Sequence, residues 1–492
     1  MRKNGILMPI FSLPSPYGIG TLGSAAFDFV DFLTKGAQSF WQILPLNPTN
    51  YGDSPYQSFS CMAGNPYFID LDLLVKDELL TKAEIKPYDF GTDSTKVDYE
   101  KLYNNRFKVL KAAFCNFKPN NEYRKFENQN AYWLDDYALF MAIKSANDGK
   151  AWYEWPEPLK KRDSKAILQT RENLAEEITF HKFLQFEFDK QWCSLKKYAN
   201  QNNIQIIGDI PIYVALDSAD VWSDPKQFLL DKDYKPKSVA GVPPDAFSAD
   251  GQLWGNPLYD WNYIKQNNYA WWKQYLGHAL KRYDKVRIDH FRGFESFFAI
   301  PYGDTDAKGG KWVKGPNIDL FDALKSEFGK NLPIIAEDLG IITPAVRKML
   351  KKTGFPGMKI LQFAFDGNNQ NAYLPHNINR NCVIYTGTHD NDTIMGWLKT
   401  ETAAAKNAKN YLNYKEDDGF NWAMIKAAMS SVADTCILMM GDLLALGSDG
   451  RINTPSTLGD NWNWRIQNGC INDWLANILK ENTILYGREN NT

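Results

Sequence analysis

The stretch "DKVRIDHFRGF" (284–294) starts as a buried strand and ends as something else. Val286 and Ile288 are apolar, β-branched and two residues apart, so they share one face. Arg287 and Asp289 lie on the other face, and His290 and Arg292 follow at once. A strand covered on both sides would carry a cation and an anion into the interior, which is costly unless they are paired. Residues i and i+2 point the same way, so the Arg287 guanidinium can sit beside Asp289, orient it and keep it ionised. A purely structural ion pair would look the same, and the other strand ends decide between the two.

Five more short apolar runs end in polar residues: "SFWQILPLNPT" (39–49), "IQIIGDIPIYV" (204–214), "LPIIAEDLG" (332–340), "MKILQFAF" (358–365) and "NCVIYTGTHDND" (381–392). Helical patterns lie between several of them. "TPAVRKMLKKTG" (343–354) has a Thr cap, Pro in the first turn and a terminal Gly, and "DLFDALKSEFG" (319–329) is similar. Strands alternating with helices predict a parallel α/β architecture. No Gly-rich phosphate loop follows a strand, so the nucleotide-binding open sheets lack their signature. Asp209, Asp289, Glu337, His389 and Asp390 all fall at the C-terminal ends of runs. That pattern predicts a (β/α)8 barrel with its chemistry at one rim. The expectation is one catalytic barrel over 1–492, with insertions at about 75–200 and 215–275. The first reads as mainly helical and the second is rich in Pro, Gly, Asp and Trp. Segments this long are read as walls of a cleft.

Bulk composition narrows the function. The 492 residues carry a formal charge of −2 and no long block of like charge, so a nucleic-acid partner is not expected. No segment has the length of a membrane helix, and the N-terminal apolar run is broken by Pro9. The six cysteines form no C-x-x-C pair, which fits reduced thiols in a cytoplasmic protein. Aromatics are abundant, with 16 Trp, 25 Tyr and 29 Phe. A large core accounts for most of them; a groove that packs sugar faces on rings would use the rest.

Three runs end in carboxylates: Asp289; Glu337 and Asp338; Asp390 and Asp392. Like charges gathered in one cleft raise one another's pKa, so one group becomes a protonated acid while another stays ionised. That division suits glycoside cleavage, where an acid protonates the leaving oxygen and a carboxylate attacks or activates water. His389, Asp390 and Asp392 could instead ligate a metal, but no H-E-x-x-H or calcium-loop pattern is present. No G-x-S-x-G elbow supports a serine nucleophile.

"RIDHFRGF", "AEDLG" and "YTGTHDNDT" resemble the catalytic strands of the α-amylase clan. Their wording is similar to the 4-α-glucanotransferases of glycoside hydrolase family 77. The likeness extends through "GILMPIFSLPSPYGIGTLG" (5–23), "WQILPLNPTNYGDSPYQSFSCMAGNPYFIDL" (41–71), "GDIPIYVALDSADVW", "VAGVPPDAFSADGQLWGNPLYDW" and "RINTPSTLGDNWNWR". The resemblance implies that Asp289 is the nucleophile, Glu337 the acid and then base, and Asp390 the third carboxylate. It implies that Arg287 orients Asp289 and that His290 and His389 contact sugar near the scissile bond. Ser54, Tyr56 and Gln57 would line the donor side, and Asp209 would also reach the sugar. Gln252 and Trp254 would lie in a loop over the cleft, within 241–261. Asp366 and Asn461 are further carry-overs, and Tyr51 would belong to a second, remote glucan contact. The implied substrates are maltooligosaccharides and other α-1,4-glucans, with no cofactor and no metal. An α-amylase-like glucan hydrolase is the alternative among enzymes, and a non-catalytic glucan-binding protein that kept the cleft is the alternative from another class. One departure is Gly441 in "MGDLLALG" (440–447), where the family pattern has a longer polar residue.

Overall fold

A computed structural model of the chain describes residues 2–50, 52–244, 248–416 and 419–489. Twelve strands are found among them: β1 (Lys3–Leu7), β2 (Phe40–Gln42), β3 (Gln205–Ile210), β4 (Ser238–Val242), β5 (Gln252–Pro257), β6 (Lys285–Ile288), β7 (Ser296–Pro301), β8 (Lys311–Lys314), β9 (Ile334–Ala336), β10 (Gly357–Ile360), β11 (Cys382–Tyr385) and β12 (Thr435–Met439). Eight pair in parallel in the order β10-β11-β12-β1-β2-β3-β6-β9. The fold is a (β/α)8 barrel.

The last seam, between β9 and β10, is closed differently from the others. The Ala336 N–H donates to the Pro356 carbonyl at 2.9 Å. The Met358 N–H donates to Asp338 Oδ1 at 2.6 Å. Asp338 is therefore turned out of the cleft and used to join two strands, which corrects its reading as a cleft carboxylate. The seam also needs Gly357. A Cβ there would lie 2.6 Å from Asp338 Oδ1.

Helices cover the barrel as the caps predict. Thr343 accepts from the Val346 N–H and Pro344 opens the helix Pro344–Thr353, which stops at Gly354 with φ of 77°. The helix Ile318–Phe328 likewise ends at Gly329, with φ of 97°. One connection departs from the repeat: between β10 and β11 a short 3-10 turn, Leu361–Phe363, stands where an α-helix is usual. The first long insertion is helical, with Tyr99–Asn116, Asn121–Ala146 and Ser164–Asn173 capped by Asp98, Asn120 and Asp163. The second also contains β4 and β5. These join β7 and β8 in an antiparallel sheet of order β5-β4-β7-β8, which the sequence reading does not anticipate. Val239, Phe298, Ile300 and Ala307 form its own small core.

Inside the barrel the strand registers stack polar side chains. Asp209 on β3 is level with Arg287 on β6, which is level with Ile335 on β9. Gln42 and Tyr385, on strands that are not neighbours, meet across the interior at 2.9 Å. No helix of the described residues is long and apolar enough to cross a membrane.

Gly357→Ala should displace Asp338 and lower stability by about 1–3 kcal/mol. Chemical denaturation of the two proteins measures the difference, and an unchanged midpoint would show that the seam does not depend on this contact.

Candidate active site

The site is built on the buried ion pair at the centre of the barrel. Arg287 is 3 % exposed, and its two terminal nitrogens divide between two carboxylates. Nη1 donates to Asp209 Oδ2 at 2.6 Å, and Nη2 donates to Asp289 Oδ1 at 2.9 Å. Burial disfavours the guanidinium charge, but Asp209 and Asp289 more than restore it and hold its pKa well above the ordinary value. Asp209 has no exposed surface, and its second partner is the Tyr56 hydroxyl, which donates to Oδ2 at 2.8 Å. Asp289 lies just beyond β6 and is partly open to solvent.

Glu337 follows β9 directly. The Leu339 N–H donates to its Oε1 and the His290 N–H to its Oε2, both at 2.7 Å. The second contact requires a turn that an L-residue seldom makes: His290 has φ of 50° in the left-handed region. The Arg287 charge and these two main-chain donors favour the carboxylate form. Burial and the nearby Asp289 charge outweigh them and push the Glu337 pKa up to about 8. Burial also pushes His290 down to about 4, so its ring is neutral at neutral pH.

Asp390 is the opposite case. Burial would raise it, but His389, Asn453 and Arg287 together hold it at about 2. His389 Nε2 lies 3.2 Å from its Oδ2, and the Asn453 amide donates to Oδ1 at 2.6 Å. Arg451 donates to its backbone carbonyl at 2.8 Å. The loop carrying His389 and Asp390 is fastened from beneath by the buried Asp442, which accepts from the Thr386 hydroxyl (2.6 Å) and the Ile394 N–H (2.7 Å). Asp442 belongs to the segment of the Gly441 departure, so a polar anchor survives one residue on. Asp392 leaves the cleft: Ser448 and the Thr393 N–H bind its two oxygens. It joins Asp338 as a correction to the reading of the strand ends. Among the described residues no three His, Cys, Asp or Glu side chains are grouped to hold a metal ion.

Most of the other candidates converge on these carboxylates. Tyr56 stacks on His389 at 5.3 Å, and Trp462 packs against both rings. Gln57 reaches the second insertion, donating to the Trp254 carbonyl (3.2 Å) and to Asn256 Oδ1 (3.0 Å). Trp254 donates to Gln252 Oε1 at 3.0 Å and meets His290 edge to face at 4.8 Å. Ser54 shapes the turn that presents Tyr56 and Gln57, accepting from both of their N–H groups. Asp366 and Asn461 form only local loop contacts: Asp366 accepts from the Asn368 N–H, and Asn461 binds Thr454 and Thr457. Tyr51 and residues 245–247 of the loop 241–261 lie outside the described residues. Sequence reasoning missed Asn453, Arg451, Asn256 and Trp462. The two quoted motifs "RINTPSTLGDNWNWR" and "QLWGNPLYDW" contain all four, and those motifs were the available signal.

A parallel barrel with ionised and protonated carboxylates gathered at the C-terminal ends of its strands defines the class of carbohydrate-processing barrel enzymes. Residues 8–471 match the family model described as 4-alpha-glucanotransferase. The chain is 50% identical to a 4-alpha-glucanotransferase of Clostridium butyricum over 486 residues, 98% of this chain and 100% of the relative. It superimposes on an amylomaltase from Streptococcus agalactiae, solved in complex with acarbose, with a TM-score of 0.97 and 43% identity over 100% of both chains. An amylomaltase from Corynebacterium glutamicum shares the fold, with a TM-score of 0.77 and 18% identity over 99% of this chain and 74% of the other. The chain belongs to the 4-alpha-glucanotransferase family, glycoside hydrolase family 77.

Arg287→Met should leave the buried Asp209 carboxyl without its cation and destabilise the protein by about 3–5 kcal/mol. Urea unfolding at neutral pH checks this, and a loss below about 1 kcal/mol would mean that the interior tolerates Asp209 without its cation.

Proposed function

We propose that this protein transfers a segment of an α-1,4-glucan to the 4-hydroxyl of an acceptor glucan or glucose through a covalent glucosyl-enzyme. One observation carries the reading: Glu337 is pushed up to about 8 while Asp390, in the same cleft, is held at about 2. At neutral pH one carboxyl holds a proton beside carboxylates that are charged or paired to a cation, which is the division of labour that a retaining glycosidase needs.

Asp289, steered by Arg287, attacks the anomeric carbon. Glu337 gives its proton to the departing 4-oxygen. Glu337 is then the base that takes the proton of the acceptor 4-hydroxyl, and the acceptor oxygen displaces Asp289. Two inversions give net retention. Asp390 grips sugar hydroxyls and favours the distorted ring, with His389 and neutral His290 as donors at the cleft wall. Asp209 acts through Arg287 and Tyr56, because its own carboxylate has no surface to offer. Tyr56, Gln57, Gln252 and Trp254 form the walls that hold the glucan, and the complex of the Streptococcus agalactiae relative with acarbose supports a carbohydrate ligand. Transfer also depends on keeping water from the intermediate. The β5 segment, tied to the first loop by Gln57, is the wall that performs this task.

Incubation with maltotriose tests the activity: glucose and maltodextrins longer than the substrate should both appear. A rise in reducing ends with no longer chains would assign a hydrolase instead. Asp289→Asn should reduce turnover by at least about a thousandfold, and full activity would remove Asp289 from the nucleophile's role. The pH profile reports on Glu337, which must be protonated to act as an acid. Its kcat/KM should fall as the pH rises through about 8. A profile still flat above that value would assign the proton to another group.

A further inference from the structure

A second concavity lies on the flank of the barrel, away from the carboxylates. Its volume is about 360 Å³, within the usual range of ligand sites. Tyr411, Tyr414, Tyr486, Lys426, Ser430 and Pro375 line it. The helix Phe420–Ser430 runs toward the N-terminal end of β12, so Lys426 lies midway along the flank and Ser430 toward the end of the barrel opposite the catalytic rim. Tyr486 is at the same end, because its carbonyl accepts from Arg2 just before β1.

Three features make this a built surface. Tyr411 is 40% exposed, yet its ring is fixed. Phe365 packs on it at 5.7 Å, His376 stacks on it at 5.7 Å, and His376 Nδ1 lies 2.9 Å from its hydroxyl. Tyr414 is similarly held, edge-on to Phe420 at 5.3 Å. Lys426 is half-buried and has no carboxylate partner among the described residues. A rigid aromatic plane loses little entropy on binding, and an ammonium brings three donors.

The geometry points to a second carbohydrate site here, which holds a segment of an α-glucan chain by packing a pyranose face on Tyr411 and hydrogen-bonding its hydroxyls to Lys426 and the tyrosine hydroxyls. A sugar offers apolar C–H faces and a hydroxyl-rich edge, and this lining matches both. A phosphate ligand would be expected to meet more than one cation, and among the described residues Lys426 is the only cation in the lining. The proposal rests on the transferase reading, since a polymeric substrate presents the same unit many times. One chain can then occupy both sites, and anchoring at the flank raises its local concentration at the cleft.

The test compares the native protein with Tyr411→Ala/Lys426→Ala on maltotriose and on amylose. Maltotriose disproportionation should be unchanged, because a trisaccharide cannot span the two sites. The KM for amylose should rise by up to about tenfold, the effect of losing one aromatic contact. Hydrogen exchange on the native protein gives an independent readout: maltoheptaose should protect the helix Thr402–Tyr411, and glucose 6-phosphate should not. An unchanged KM for amylose, or protection by glucose 6-phosphate alone, would overturn the proposal. If the native protein makes no longer products from maltotriose, the transferase reading fails and the second site falls with it. If it does make them and the exchange data show no protection by maltoheptaose, only the second site fails.

Discussion

One guanidinium organises the catalytic end of this barrel. Arg287 stands between Asp209, which is fully buried, and Asp289, which reaches the cleft. Without a cation there, the interior could not hold Asp209 as an anion, and Asp289 would have no fixed direction. With it, charge is carried from the core to the surface along one strand. Everything else in the site takes its place from that line. Tyr56 is set by Asp209, His389 stacks on Tyr56, and His389 in turn pairs with Asp390. The Asp289 charge is also one of the two causes that keep Glu337 protonated. The same arginine thus orients one carboxylate directly and bears on a second from two sides, its own charge favouring the Glu337 anion while the Asp289 charge opposes it.

The barrel and the carboxylates gathered at its strand ends were legible in the sequence because they break a simple rule. A buried parallel strand should be apolar, and an acid at its end stands out against "VRI" or "IIA". Helix caps were equally local signals, and Thr343 and Gly354 act as the pattern predicts. The small antiparallel sheet was not legible. Its strands are short, lie on either side of a barrel strand and are held by the four side chains of a separate core. Such pairing is set by tertiary contact more than by local pattern.

Other failures came from orientation. Asp338 and Asp392 look like cleft carboxylates when read as composition, but each is turned to main-chain or hydroxyl donors. Asn453 was passed over for the converse reason. A neutral amide in an irregular loop has no periodicity to announce it, and only its 2.6 Å contact with Asp390 reveals what it does.

The neighbours Glu337 and Asp338 illustrate how little freedom the strand before them has. One faces the cleft and the other the seam with β10, so the two acids perform unrelated tasks on opposite sides of the same chain. A slip of β9 by one residue would turn the acid that faces the cleft away from it and break the contact that closes the seam. Changes in the length of the segment from 329 to 333 are therefore quantised for this protein: they are absorbed before β9 begins, or they cost it both its closure and its chemistry. Closure of the cylinder and the placing of the cleft acid thus share one strand register.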